Sequence, residues 1–142
     1  YLNNNTKYYY MKIYILYARE KWITDELAKE WIQNNKDLYT TDLNEADIIW
    51  VLSDYVIKRL PFHIYQQKKV ITTIHHIVPE KVNRAQISHF NALNKITDVF
   101  HSICDITTVT MRKYFTKPIK NWIGYVQKFV MKIIKRLIHS QD

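Results

Sequence analysis

Glycine occurs once in the 142 residues, at Gly124. The dinucleotide fingerprint and the P-loop each need several glycines so that backbone N–H groups can close on phosphates, and neither motif is present. The glycine-bearing strand signature of common RNA-binding domains is excluded for the same reason. Cysteine is equally scarce. Cys104 stands alone, which rules out an intrachain disulfide framework and a cysteine-based zinc knuckle and points to a reducing, cytoplasmic setting. No two aspartates are separated by a single residue, so the metal-holding Asp-x-Asp of many one-domain sugar transferases is missing. The histidines at 63, 75, 76, 89, 101 and 139 form no His-Glu-x-x-His, and no protein metal site is expected. No uninterrupted apolar run approaches the roughly 18 residues that span a bilayer.

What is present is an apolar, aromatic and basic chain. A hydrophobic fraction of 47% argues against disorder, and one core suffices for this length. The net charge of +8 calls for anionic partners such as phosphates, acidic lipids or nucleic acid. Lys117 to Arg136 holds six Lys or Arg residues and no acid, so the basic bias lies toward the C-terminus. Residues 1–10 are polar and tyrosine-rich, without the apolar core of a signal peptide. Met11 reads as the natural start, and the ten residues before it are expected to be a non-native or disordered extension.

Four short runs rich in β-branched and aromatic residues read as buried strands: Lys12 to Tyr17, Asp47 to Leu52, Lys69 to His75 and Asp98 to Cys104. Between them Ile23, Leu27 and Trp31 mark one helix, begun by Thr24, Asp25 and Glu26. Val82, Ile87, Phe90 and Leu93 mark a second, and Asp105 can open a third reaching about Phe115. Strands alternating with helices predict βαβ crossovers and a mostly parallel sheet, an α/β three-layer domain of Rossmann-like architecture. Pro61, Pro79 and Pro118 fall between elements, where a missing N–H costs least.

In open parallel sheets ligands bind beyond the carboxyl ends of the strands. The run Val70 to Pro79 places His75 and His76 at such an end, where an imidazole with a pKa of about 6.5 can donate to a sugar hydroxyl or a phosphoryl oxygen. Spacing alone favours the plainer reading of His75 as a hydrogen-bonded core residue and His76 as a surface one. Cys104 and His101, three apart on a strand, point to opposite faces and do not form a nucleophile–base pair.

The order Ala46 to Ser53, Thr73 to Lys81, His101 to Cys104 and Thr116 to Ile119 resembles the N-terminal domain of GT-B fold glycosyltransferases of the retaining, family-4-like group. The resemblance runs from about Met11 to Tyr125, and Trp122 to Tyr125 is similar to the exit from that domain. It implies an acceptor-side domain, residues 11–125, with His75 at the transfer centre and no metal. The acceptor would be a sugar or a lipid-linked group, and a C-terminal domain would hold the nucleotide-sugar, commonly through a spaced pair of glutamates. Glu20, Glu26, Glu30, Glu45 and Glu80 contain no such pair, so this chain is expected to bind no cofactor itself and to be incomplete without that domain. Where the group has a glycine-rich loop after the first strand, this chain has Tyr17 to Lys21, and His76 stands where Asp is commoner. Arg19 and Lys21, with His76 and Lys81, are the candidate phosphate or acceptor contacts, acting by charge.

Residues 126–142 read as a basic amphipathic helix or linker, with Lys128, Lys132, Lys135 and Arg136 opposite an apolar face. Such a helix suits a terminal packing element, a contact with a further domain, or an anionic membrane, where four cations supply about 4 kcal/mol. The function class that stays open beside a transferase is a non-enzymatic basic module for nucleic acid or membranes. Nucleic acid is the weaker partner, because most of the aromatics fall at core-like positions.

Overall fold

The computed structural model describes residues 11–21 and 23–121. It is an α/β domain on a five-stranded, all-parallel sheet: β1 (Ile13–Leu16), β2 (Ile48–Val51), β3 (Lys69–Ile74), β4 (Val99–Ser102) and β5 (Ile119–Asn121), in that spatial order. Four of the strands fall inside the runs expected from their apolar residues. The fifth, the half-exposed Ile119–Asn121, has too little apolar content to announce itself. Helices α1 (Ile23–Asn34), α2 (Phe62–Gln66), α3 (Arg84–Ile96) and α4 (Asp105–Met111) make the connections, with short 3-10 segments at Asp54–Arg59 and Pro79–Lys81.

Alternation along the strands divides the core into two layers. Ile13, Ile15, Ile48, Trp50 and Ile71 face α1, meeting Ala28 and Trp31, whose ring packs edge-on to Trp50 with centroids 5.7 Å apart. Leu16, Ile49, Val51, Val70, Ile74 and Phe100 face the other way, against Tyr65 of α2, Phe90, Leu93 and Ile96 of α3, and Met111 of α4. Strands buried on both faces account for their near-continuous apolar sequence.

A fourfold stripe in α1 was the expectation, and the packing corrects it. Ile23 is 73% exposed, and the buried positions are Asp25, Ala28 and Trp31. Ala28 is fully buried in the core layer beneath the helix, and the face that carries it leaves Ile23 turned outward. In α3 the buried face is likewise Phe90, Leu93 and Ile96, while Ile87 is 40% exposed and Val82 precedes the helix.

After α1 the chain does not go straight to β2. Tyr39 first bridges to Ile13 in parallel, with the Ile13 amide donating to Leu38 O at 2.6 Å and the Thr40 amide to Ile13 O at 3.0 Å. The neighbouring Lys12 carbonyl accepts from Asp47 on the β2 side, so Leu38 to Thr40 line the outer edge of β1. The first crossover therefore steps outward with its helix on one face, and the connections after β2 step the opposite way with their helices on the other. Opposite steps on opposite faces keep one crossover hand, as the right-handed preference of βαβ units requires. The direction of winding reverses between β1 and β2, and that is where a doubly wound sheet opens a crevice at its carboxyl edge.

Candidate functional site

At this crevice the chain leaves β1 through Tyr17 to Lys21. Arg19 and Lys21 both adopt left-handed backbone, at φ 61° and 63°. For an L-residue with a Cβ this conformation costs about 1–2 kcal/mol, which is why such loops usually carry glycine. The loop is held by Asp25, whose carboxylate accepts from the Arg19 amide at 3.1 Å and the Lys21 amide at 2.8 Å while remaining only 2% exposed. Asp25 stands in the first turn of its own helix, as expected, and from there reaches back to the loop. From the other side the Arg59 guanidinium donates to the carbonyls of Tyr17 at 3.3 Å and Ala18 at 2.9 Å.

These contacts shape an open cleft of about 440 Å³ lined by Tyr17, Arg19, Lys21, Asp25 and Lys29. The Arg19 guanidinium lies 5.3 Å from the centroid of the Tyr17 ring. The two loop amides that could cradle a phosphate are already committed to an internal carboxylate, so an anion entering here meets the side chains of Arg19, Lys21 and Lys29, the last of them paired with Glu26 at 3.4 Å. The absence of glycine thus has a structural counterpart: the loop amides face an internal carboxylate, and the charged groups left to the cleft are side chains.

Along the same edge, Leu52 follows β2 and His75 follows β3. The half-buried His75 ring donates its Nε2–H to Leu52 O at 2.8 Å, a carbonyl being able only to accept. Burial holds its pKa below the ordinary histidine value, partly offset by that carbonyl and by the charge of Asp54. Asp54 in turn accepts from His89 Nε2 of α3 at 2.8 Å, with both side chains about a quarter exposed. The carboxylate therefore stands at the edge between β2 and α3, with one imidazole bonded to it and a second within its field. Nothing in the sequence pairs Asp54 with His89, which are 35 positions apart and brought together only by the return of α3.

His76 and Lys81 are exposed in and after the loop leaving β3, and His75 does not line the β1 cleft, so the expected contacts fall into two groups along one edge. Lys128, Lys132, Lys135 and Arg136, and the segment Trp122 to Tyr125, lie outside the described residues. Neither a protein-family model, nor a curated protein, nor a solved structure matches this chain.

Cys104 and His101 are separate. His101 is buried and bonds through Nδ1 to Thr73 Oγ1 at 3.0 Å, which also accepts from the Trp50 indole at 2.8 Å. Cys104 meets Thr107 Oγ1 at 3.1 Å, and hydrogen bonding by Thr107 pulls the thiol below its usual pKa. Among the described residues no three His, Cys, Asp or Glu side chains gather to hold a metal, and no helix is long and apolar enough to cross a membrane.

The direction of the His75 shift has a pH consequence. Below about pH 6.5 the unfolded chain takes up a proton that the folded ring declines, so stability falls as pH drops from that value toward the lower folded pKa. The slope for one proton is at most about 1.4 kcal/mol per pH unit. Urea unfolding at neutral pH and at about pH 5 should show a smaller acid loss for His75→Asn than for the unaltered chain. Equal losses would place the acid sensitivity elsewhere.

Proposed function

We propose that this chain is the acceptor-side domain of a GT-B type glycosyltransferase and that its β1–α1 cleft binds a phosphate-bearing group of the substrate. The observation that carries the proposal is the pair Arg19 and Lys21. Two cationic side chains are kept at positions whose backbone favours glycine, beside the winding reversal where ligands bind. Strain retained at such a place is characteristic of a functional constraint. Residues that only had to turn the chain would be served better by glycine.

On this proposal Arg19 and Lys21 neutralise the phosphate, and Asp25 holds the loop from which both side chains line the cleft. His75 keeps the place at the transfer centre that the resemblance implies, with Nε2–H anchored to the end of β2. Asp54, bonded to His89, sets its negative charge in the field of the His75 ring. A second domain would supply the nucleotide-sugar, and catalysis would rest on positioning and on stabilising positive charge at the transferring sugar.

Calorimetric titration with pyrophosphate and with a sugar 1-phosphate tests the proposal. Arg19→Gly combined with Lys21→Gly should leave the domain as stable or about 1 kcal/mol more stable, because the left-handed cost is relieved. The same variant should bind phosphate at least tenfold more weakly, since two charge-assisted contacts are gone. Unchanged affinity in a folded double variant would sink the assignment.

A further inference from the structure

The exposed face of α4 carries two large apolar residues side by side, where each of the other helices exposes one. Ile106 is 82% and Val109 59% exposed, one turn apart, while Thr107, Thr108, Thr110 and Met111 face inward. Arg112 and Lys113 are exposed directly after them, and Lys113 continues the Ile106–Val109 stripe at i+7. Asp105, the one acid on this face, is engaged by the Asn121 side-chain amide. β-branched residues weaken a short helix, so two of them facing water bring no local benefit. Val78, also exposed, lies three residues beyond His75, whose carbonyl accepts from Thr107 next to Ile106.

Charge on the chain is divided in the same sense. Residues 55–121 carry eleven Lys or Arg against three acids, whereas residues 11–54 carry five against nine. The apolar stripe of α4 thus belongs to the positive half of the domain. We propose that α4 and the turn after it dock the domain on an anionic membrane surface, Ile106 and Val109 entering the interface and Arg112 and Lys113 pairing with lipid headgroups. This surface stands apart from the β1 cleft and is independent of what that cleft binds.

Co-sedimentation of the full chain with phosphatidylcholine vesicles, with and without phosphatidylglycerol, reads the proposal directly. Binding is expected only with the anionic lipid and should fall as salt rises. Arg112→Glu with Lys113→Glu should lower it about thirtyfold or more, each lost cation counting for about fivefold. Ile106→Ser with Val109→Ser should lower it about tenfold at equal charge. Both pairs are exposed, and an unchanged thermal transition confirms their folding. Lys36→Glu with Lys95→Glu, the same charge change at exposed positions outside α4, should have a much smaller effect. The proposal is overturned by binding that ignores all four α4 substitutions, or by equal loss in the control pair, which would mean attraction by net charge alone. It is equally overturned if the serine pair turns a dimer into a monomer by sedimentation velocity while vesicle binding persists, for then α4 faces a second copy.

Discussion

Asp25→Ala should lower the stability of this domain by about 3 kcal/mol, the sum of two hydrogen bonds to a charged acceptor at about 1.5 kcal/mol each. The carboxylate is nearly sealed from water and is the acceptor for both the Arg19 and Lys21 amides. Without it, two residues in left-handed backbone lose the contacts that offset their strain, and the loop relaxes away from the cleft. For a domain of this size the loss corresponds to a fall in melting temperature of about 10 °C or more. Adding Arg19→Gly and Lys21→Gly should recover part of the loss, because glycine adopts the same φ without the Cβ clash. Such recovery makes the three substitutions non-additive, as expected for residues sharing contacts. Thermal and urea unfolding of the single and triple variants measure both effects. A loss below about 0.5 kcal/mol for Asp25→Ala would show that the loop holds its shape without the carboxylate.

Phe100→Ala should cost about 3–5 kcal/mol. Phe100 is fully buried in β4, stacked on Phe115 with ring centroids 4.2 Å apart, and Phe115 in turn meets Phe90 edge-on at 5.3 Å. Phe90 continues the cluster to Tyr114 at 5.0 Å. The group ties α3 and the chain after α4 to the centre of the sheet, and the adjacent Phe100 amide donates to Pro118 O just before β5. Truncation opens a cavity among rigid rings that cannot all move into it. Phe100→Leu, which refills most of the volume, should cost about 1–2 kcal/mol, and urea midpoints give both values. Similar losses for the two variants would mean that ring stacking, rather than filled space, supplies the stabilisation.

The proposed assignment also separates stability from binding within one loop. Asp25 acts on the backbone, whereas Arg19 and Lys21 act through their charges, so the alanine variant should lose both properties and the glycine pair only one. A purely structural loop would show no such division.

Much of the fold was legible in the chain. Four apolar runs of strand length, with helical stretches and prolines between them, were enough to specify a mostly parallel α/β domain, because strands covered on both faces need continuous apolar sequence. The position of His75 at a strand end followed from the same reasoning. Other features depended on tertiary contact. The inward face of α1, Asp25, Ala28 and Trp31, was decided by packing against the sheet, a property of two surfaces and not of one periodicity. The winding reversal rests on a single bridge at Tyr39, where the local sequence has no strand pattern. The meeting of Asp54 with His89 needed α3 to return over the end of β2. The sequence marked Tyr17 to Lys21 as a loop without glycine, but only the fold could make that loop left-handed, since the cost of such backbone is met by a carboxylate from the following helix. Local pattern determines which residues must leave water, and long-range packing determines which of the remaining polar groups face one another.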